Sequence, residues 1–130
     1  MKDDIITVRP TVTTATLQRL PNYVGISEQT AGSTGLSMNL VVIPAGAKAD
    51  PHVHLGYETA IYLLKGRVET RYGENLSKTV VNEAGDFIFI PAGVPHQPVN
   101  LSETETALAI VARNDANEQE PVQPYRPPTP

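Results

Sequence analysis

The sequence predicts an all-β domain, either a sandwich or a barrel made of short strands. Apolar runs rich in Val, Ile and Leu occupy residues 36–43, 57–64, 87–90 and 106–112, and most of them stop at proline or glycine. Residues 68–72 alternate between apolar and charged side chains, which is the period of a half-buried strand. Short runs at this spacing, without a convincing amphipathic helix, favour an all-β architecture over a mixed one.

The chain divides into three parts by composition. Residues 1–20 are predicted to form an N-terminal arm, residues 21–113 the barrel, and residues 114–130 a proline-rich C-terminal tail. Proline has no amide hydrogen to donate, so the tail is not expected to form a central strand. It is predicted to be extended. Whether it lies across its own domain, lies across a neighbouring subunit or is disordered remains open.

Charge and cysteine content exclude several classes of function. Ten Lys and Arg against fourteen Asp and Glu give a net charge of −4, so a nucleic-acid partner is not expected. The absence of cysteine excludes a thiolate zinc site and a cysteine nucleophile. No apolar run is long enough to span a bilayer, and Asp3 and Asp4 lie where a signal peptide needs apolar residues. A cytoplasmic protein without membrane association is therefore expected.

All three histidines lie in two short segments that have the spacing of metal ligands. His52 and His54 are two residues apart, so on a strand they lie on the same face, and Glu58 follows. His96 comes from a distant part of the chain. Three imidazoles and one carboxylate suit a divalent transition metal (iron, manganese, nickel, cobalt, copper or zinc) but not calcium, which prefers an all-oxygen shell. We therefore predict a metal site formed by His52, His54, Glu58 and His96.

The first histidine segment resembles the first motif of the cupins. In that motif a glycine is followed by five residues, H-x-H, three or four residues, a glutamate, six residues and a second glycine. Here Gly46 is followed by five residues, His52-Val53-His54, three residues, Glu58, seven residues and Gly66.

The second segment matches the second cupin motif at every defined position. Gly85 is followed by five residues, Pro91-Ala92-Gly93, two residues, His96, three residues and Asn100. With these two segments, the chain resembles a single-domain cupin of the double-stranded β-helix (jelly-roll) superfamily. The resemblance implies a jelly-roll barrel with the metal held inside it.

The first motif contains one departure that affects the predicted ligands. The usual pattern puts the glutamate seven residues before the closing glycine, whereas Thr59 has that place here and Glu58 is one residue earlier. A shift of one residue on a regular strand reverses the face of every side chain. Glu58 faces the metal if a bulge or an altered turn absorbs the extra residue. Otherwise the site has three histidines, with Thr59 facing it.

The resemblance implies a range of functions and does not choose among them. Cupins include dioxygenases, isomerases, lyases and decarboxylases that act on small molecules, so a small-molecule metalloenzyme is expected. The alternative is a non-catalytic cupin that binds or senses a small ligand. The sequence identifies no catalytic residue. Because cupins commonly dimerise by sharing strands, a homodimer is also expected, with residues 5–8 as a candidate shared strand.

Overall fold

The computed structural model describes residues 4–117 and 119–127, which form two antiparallel sheets. The first sheet has the strand order β1-β2-β3-β10-β5-β8, and the second has the order β11-β4-β9-β6-β7. The prediction of an all-β fold is confirmed. The strands are β1 (Thr14–Ala15), β2 (Pro21–Ile26), β3 (Ser37–Ile43), β4 (His52–His54), β5 (Thr59–Lys65), β6 (Arg67–Tyr72), β7 (Lys78–Glu83), β8 (Phe87–Ile90), β9 (His96–Asn100), β10 (Ala107–Arg113) and β11 (Val122–Pro124).

Helical structure is confined to two short elements in the described part of the chain. The helix α1 (Glu28–Ala31) begins at Ser27, whose side chain accepts a hydrogen bond from the amide of Thr30. A 3-10 helix (Glu74–Leu76) lies in the turn between β6 and β7. Neither of these is long and apolar enough to cross a membrane.

The chain alternates between the two sheets, so their inner faces enclose a common interior. From β4 to β10 it passes to the other sheet after nearly every strand, the β6–β7 hairpin being the exception. On β3 and β10, buried residues alternate with more exposed ones. Val41, Ile43 and Leu63 are buried in the core, where each apolar side chain contributes about 1.5–3 kcal/mol of burial free energy. The same residues line the cavity that contains the histidines.

The C-terminal tail lies across its own domain. Its strand β11 pairs with β4 at the edge of the second sheet, where Val122 is opposite His54 and Pro124 is opposite His52. An edge position suits Pro124, which has no amide hydrogen for a second neighbour. Farther along, the amide of Tyr125 donates to the carbonyl of Pro51 over 3.0 Å. The tail is thereby fixed directly beside the strand that carries two of the histidines.

Candidate metal centre

Two neighbouring strands bring the three histidines together. His52 and His54 lie on one face of β4, and His96 begins β9, where it pairs directly with His52. The ring centroids are 4.2 Å apart for His52 and His96, and 4.5 Å apart for His54 and His96. All three side chains are buried. Each ring offers one nitrogen atom that could bind a metal, and these three atoms lie within 4.8 Å of one another.

Backbone carbonyl groups determine which nitrogen of two rings is free to bind a metal. The Nδ1 of His52 donates to the carbonyl of Asp50 over 2.7 Å, and the Nδ1 of His96 donates to that of Val94 over 2.9 Å. A carbonyl oxygen only accepts, so Nδ1 carries the hydrogen in both rings. In the neutral ring this leaves a lone pair on Nε2, the arrangement found in histidines that ligate metals.

The third ring is held by a side chain instead of a carbonyl. The Nδ1 of His54 lies 2.9 Å from the hydroxyl oxygen of Thr59, and its buried Nε2 has no aligned hydrogen bond. The carboxylate Oε1 of Glu120 lies 2.7 Å from this Nε2. Imidazole nitrogens together with a carboxylate are donors that suit divalent transition metals, so these residues fit the ion that the fold implies.

Burial keeps two of the three rings in the form that metals require. Desolvation lowers the pKa of His52, and desolvation together with the nearby His52 lowers the pKa of His96 to about 3. Both rings are therefore neutral near pH 7, with their lone pairs available. A metal does not have to displace a proton from either ring, which favours binding.

Of the four predicted ligands, Glu58 is the one that the structure does not bring to the cluster. Its side chain is exposed, and it borders a shallow surface recess with Asn114, whose side chain accepts a hydrogen bond from the Glu58 amide. Thr59, Ile61 and Leu63 instead face the cavity, following the alternation of β5.

The physical reason is the phase of β5, which alternates regularly from Thr59 to Leu63. Leu108 pairs with Lys65 and Ala109 pairs with Leu63, so β5 contains a bulge at its far end. A bulge beyond Leu63 leaves the start of the strand unchanged. Thr59 thus takes the inward position, and the preceding residue points away from the cavity.

A carboxylate that the sequence did not indicate lies at the cluster. Glu120, in the C-terminal tail, is buried, and its Oε1 is 2.7 Å from the Nε2 of His54. The Nε2 of Gln18 donates to its Oε2 over 2.8 Å. Burial alone would raise the pKa of Glu120, but the contact with His54 and the bond from Gln18 outweigh it and lower this pKa. Glu120 is therefore ionised, as a metal-binding carboxylate must be.

The tail is also held by an aromatic residue next to the cluster. The ring of Tyr57 stacks on that of His54, with centroids 5.0 Å apart, and its hydroxyl donates to the carbonyl of Pro121 over 3.2 Å. Burial and the negative charge of Glu120 raise the pKa of Tyr57, so the hydroxyl keeps its proton. Tyr57 thus connects a ring of the cluster to the residue that follows Glu120.

The cluster opens on a small and mainly apolar cavity. The cavity measures about 70 Å³, which is room for a few water-sized groups. Val41, Leu63 and Val111 are among its lining residues, whereas Glu120 is the one carboxylate among the described residues that line it. A second recess lies between β7 and β8 and shares His96 with the cavity. A ligand in this recess would lie against the histidine cluster.

Comparison with known proteins agrees with this geometry. Residues 39–112 match the family described as "Cupin domain". No curated protein matches the sequence significantly. Among solved structures, a Cupin 2 conserved barrel domain protein from Salinispora arenicola superposes with a TM-score of 0.70 at 21% identity, over 88% of this chain and 93% of that one.

Two further structures extend the likeness to other cupins. The cupin domain of Schizosaccharomyces pombe Cnp3 has a TM-score of 0.67 at 15% identity, over 81% of this chain and 69% of that one. Oxalate decarboxylase of Lactobacillus farciminis has a TM-score of 0.68 at 18% identity, over 81% of this chain but only 31% of that one. At these identities the likeness establishes the jelly-roll fold alone. The family match covers more than half of the chain, so the protein belongs to the cupin family.

Proposed function

We propose that this cupin is a divalent-metal-dependent protein that acts on a small molecule bound beside His52, His54 and His96. The observation that carries the proposal is the convergence of three buried imidazoles, two of them oriented by backbone carbonyls. A structural role does not require this arrangement. Three histidines in one buried cluster, two of them with the Nε2 lone pair left free, are instead what a metal site requires.

Different residues of the chain would have different roles in such a site. His52, His54 and His96 would hold the ion, and Thr59 would fix the ring of His54. The bound metal would act as a Lewis acid or activate a small ligand at its open positions. The apolar lining excludes bulk water and leaves room for the apolar part of a small substrate. The reaction would then be of the dioxygenase, isomerase or lyase type.

The test of metal binding is elemental analysis of the untagged protein, purified without chelator, beside a His52→Ala/His96→Ala double variant. About one equivalent of a first-row divalent metal in the wild type, lost in the variant, supports the proposal. Circular dichroism of both proteins checks that the variant keeps its fold. A wild-type protein that takes up no metal, even after incubation with divalent ions, would refute the proposal.

A non-catalytic ligand-binding or sensor cupin is the second candidate. It is favoured by the lining of the cavity, in which Glu120 is the one carboxylate among the described residues and apolar side chains predominate. Such a site has few groups for proton transfer. Incubating the metal-loaded protein with candidate small molecules, with and without dioxygen, separates the two. Consumption of a compound supports an enzyme, whereas recovery of a bound compound unchanged supports a binder.

We also propose that the protein is a homodimer. The outer face of the first sheet is apolar, with Phe87 84% and Phe89 60% exposed on its edge strand and Leu64 48% exposed on the strand beside it. An apolar patch of this kind on a soluble protein is typical of an association surface. The N-terminal segment at residues 4–13 adds Ile5 and Val12, which are also exposed. A second copy would cover these side chains.

Light scattering coupled to size-exclusion chromatography tests the homodimer. We expect about twice the chain mass of 14.0 kDa for the wild type and the single chain mass for Phe87→Glu/Phe89→Glu. Lys78→Glu/Thr79→Glu, on the exposed edge of the other sheet, is the matched control and should leave the mass unchanged. A wild-type mass of 14.0 kDa at micromolar concentration would contradict the proposal.

A further inference from the structure

We infer that Glu120 is the carboxylate ligand of the metal, supplied by the C-terminal tail in place of a carboxylate from the first motif. This inference rests on the proposed metal site and specifies its ligand set. Glu120 lies outside residues 39–112, the part of the chain that matches the family. The site would thus combine three histidines of the family domain with one acid from a segment beyond it.

The first argument is the position of the two candidate acids. Glu58 is exposed and borders a different recess, whereas Glu120 is 6% exposed and lines the cavity of the histidines. A buried carboxylate is costly unless it is paired or binds a metal. Glu120 has only part of that compensation from Gln18, which donates to its Oε2. The other oxygen, Oε1, is directed to the cluster, where it meets the Nε2 of His54.

The second argument is the short contact between that oxygen and His54. The two atoms are 2.7 Å apart, yet the Nε2 of His54 has no aligned hydrogen bond. A separation of 2.7 Å is also the length of a charge-assisted hydrogen bond between an imidazole and a carboxylate, so the contact shows that Oε1 is directed at this Nε2. Two ligands at right angles on one metal, with bonds of about 2.1 Å, lie about 3.0 Å apart. The Oε1 of Glu120 and the Nε2 of His54 are closer than this, so binding one ion would require the two atoms to separate only slightly.

The third argument is that several independent contacts hold the tail where it carries Glu120. Arg113 donates to the carbonyl of Asn117 where the tail begins. Beyond Glu120, Tyr57 donates to the carbonyl of Pro121, and the strand β11 pairs with β4. Tyr125 then accepts a hydrogen bond from the amide of Asn75. A segment fixed on both sides of one residue is preorganised to present its side chain, which favours binding.

The test measures metal affinity and uses Glu120→Gln, which keeps the shape and removes the charge. Titration of the metal-free proteins with Co²⁺, Ni²⁺ and Zn²⁺ should give an affinity at least about tenfold weaker in Glu120→Gln than in the wild type. The visible spectrum of bound Co²⁺ should also change. Glu58→Gln, the same change on the exposed acid, is the matched control and should match the wild type in both respects.

The outcomes separate this inference from the proposal on which it rests. A wild-type protein that binds none of the three ions overturns both. Equal or tighter binding by Glu120→Gln, with an unchanged Co²⁺ spectrum, overturns the assignment of Glu120 alone. A loss of affinity in Glu58→Gln equal to that in Glu120→Gln also overturns it. Infrared spectra need no variant: Zn²⁺ should shift a carboxylate stretching band of the wild-type protein, and no shift would contradict the inference.

Discussion

The Thr59 hydroxyl is predicted to hold His54 in the form that binds a metal. When the Nε2 of His54 is free to ligate, its Nδ1 carries the hydrogen and the oxygen of Thr59 accepts it over 2.9 Å. Thr59→Val replaces this hydroxyl with a methyl group of nearly the same size. Both groups are buried, with Thr59 1% and His54 2% exposed, so bulk water does not reach the lost acceptor.

The expected magnitude follows from that burial. A buried polar atom left without a partner costs about 1–3 kcal/mol, so the free energy of unfolding of the metal-free protein should fall by about that amount. Removing a hydrogen bond that orients a ligand typically weakens metal affinity by about 10–100-fold. Thr59→Ser keeps the hydroxyl and should retain the affinity, although losing a buried methyl group costs about 1 kcal/mol of stability.

The assay pairs denaturant unfolding of the metal-free proteins with metal titration. Thr70→Val makes the same chemical change at another residue of the cavity lining, on the opposite sheet, and serves as the control. We expect weaker metal binding for Thr59→Val than for either Thr59→Ser or Thr70→Val. Equal affinities in the three variants would refute the argument that the hydroxyl orients His54.

Three further predictions concern pH and the backbone. The metal-free protein should lose stability as the pH falls from 6.5 to 5. In the folded state the pKa values of the buried His52 and His96 are lowered, so over this range the two rings take up protons in the unfolded chain but not in the folded one. The slope is at most about 1.4 kcal/mol per pH unit for each histidine, and a flat profile in urea unfolding would contradict it. Gly66→Ala should lower the melting temperature more than Gly85→Ala does. Both glycines have positive φ, but only at Gly66 would an added Cβ meet the Cβ of Ala107, at 2.7 Å. Equal melting temperatures would disprove this. Asn100→Ala should lower the free energy of unfolding by about 2–4 kcal/mol, because the buried amide of Asn100 donates to three backbone carbonyls of two loops. A loss below about 1 kcal/mol would be inconsistent with that role.

The fold class could be predicted because each strand leaves a pattern in its own stretch of the sequence. Short apolar runs ended by proline and glycine indicate strands irrespective of their neighbours, and β3, β5, β8 and β10 lie within or close to the predicted runs. Asn100 shows the limit of such patterns. The second motif indicates Asn100 by spacing alone, yet Asn100 is 3% exposed and connects two loops, which a motif position does not reveal.

The histidine cluster could be predicted from the spacing of the residues, whereas the position of Glu120 could not. His52 and His54 share a face because strand residues two apart always do, and the second motif indicated that His96 joins them. Whether Glu58 or Thr59 faces inward depended on the phase of β5, in which Thr59, Ile61 and Leu63 line the cavity. The bulge near Leu64 lies beyond these residues and leaves their alternation unchanged, and no local pattern predicts the location of a bulge.

The sequence by itself determined the all-β class, the cupin motifs and the three histidines, because these depend on periodicity and spacing along the chain. Only the tertiary structure decided that Thr59 lines the cavity and that Glu120 reaches it from the tail. The proline-rich segment after Glu120 predicts an extended conformation but carries no information about its neighbour. That neighbour is selected by hydrogen bonds between β11 and β4 and by the contacts of Gln18 and Tyr57, which exist only once the barrel has formed.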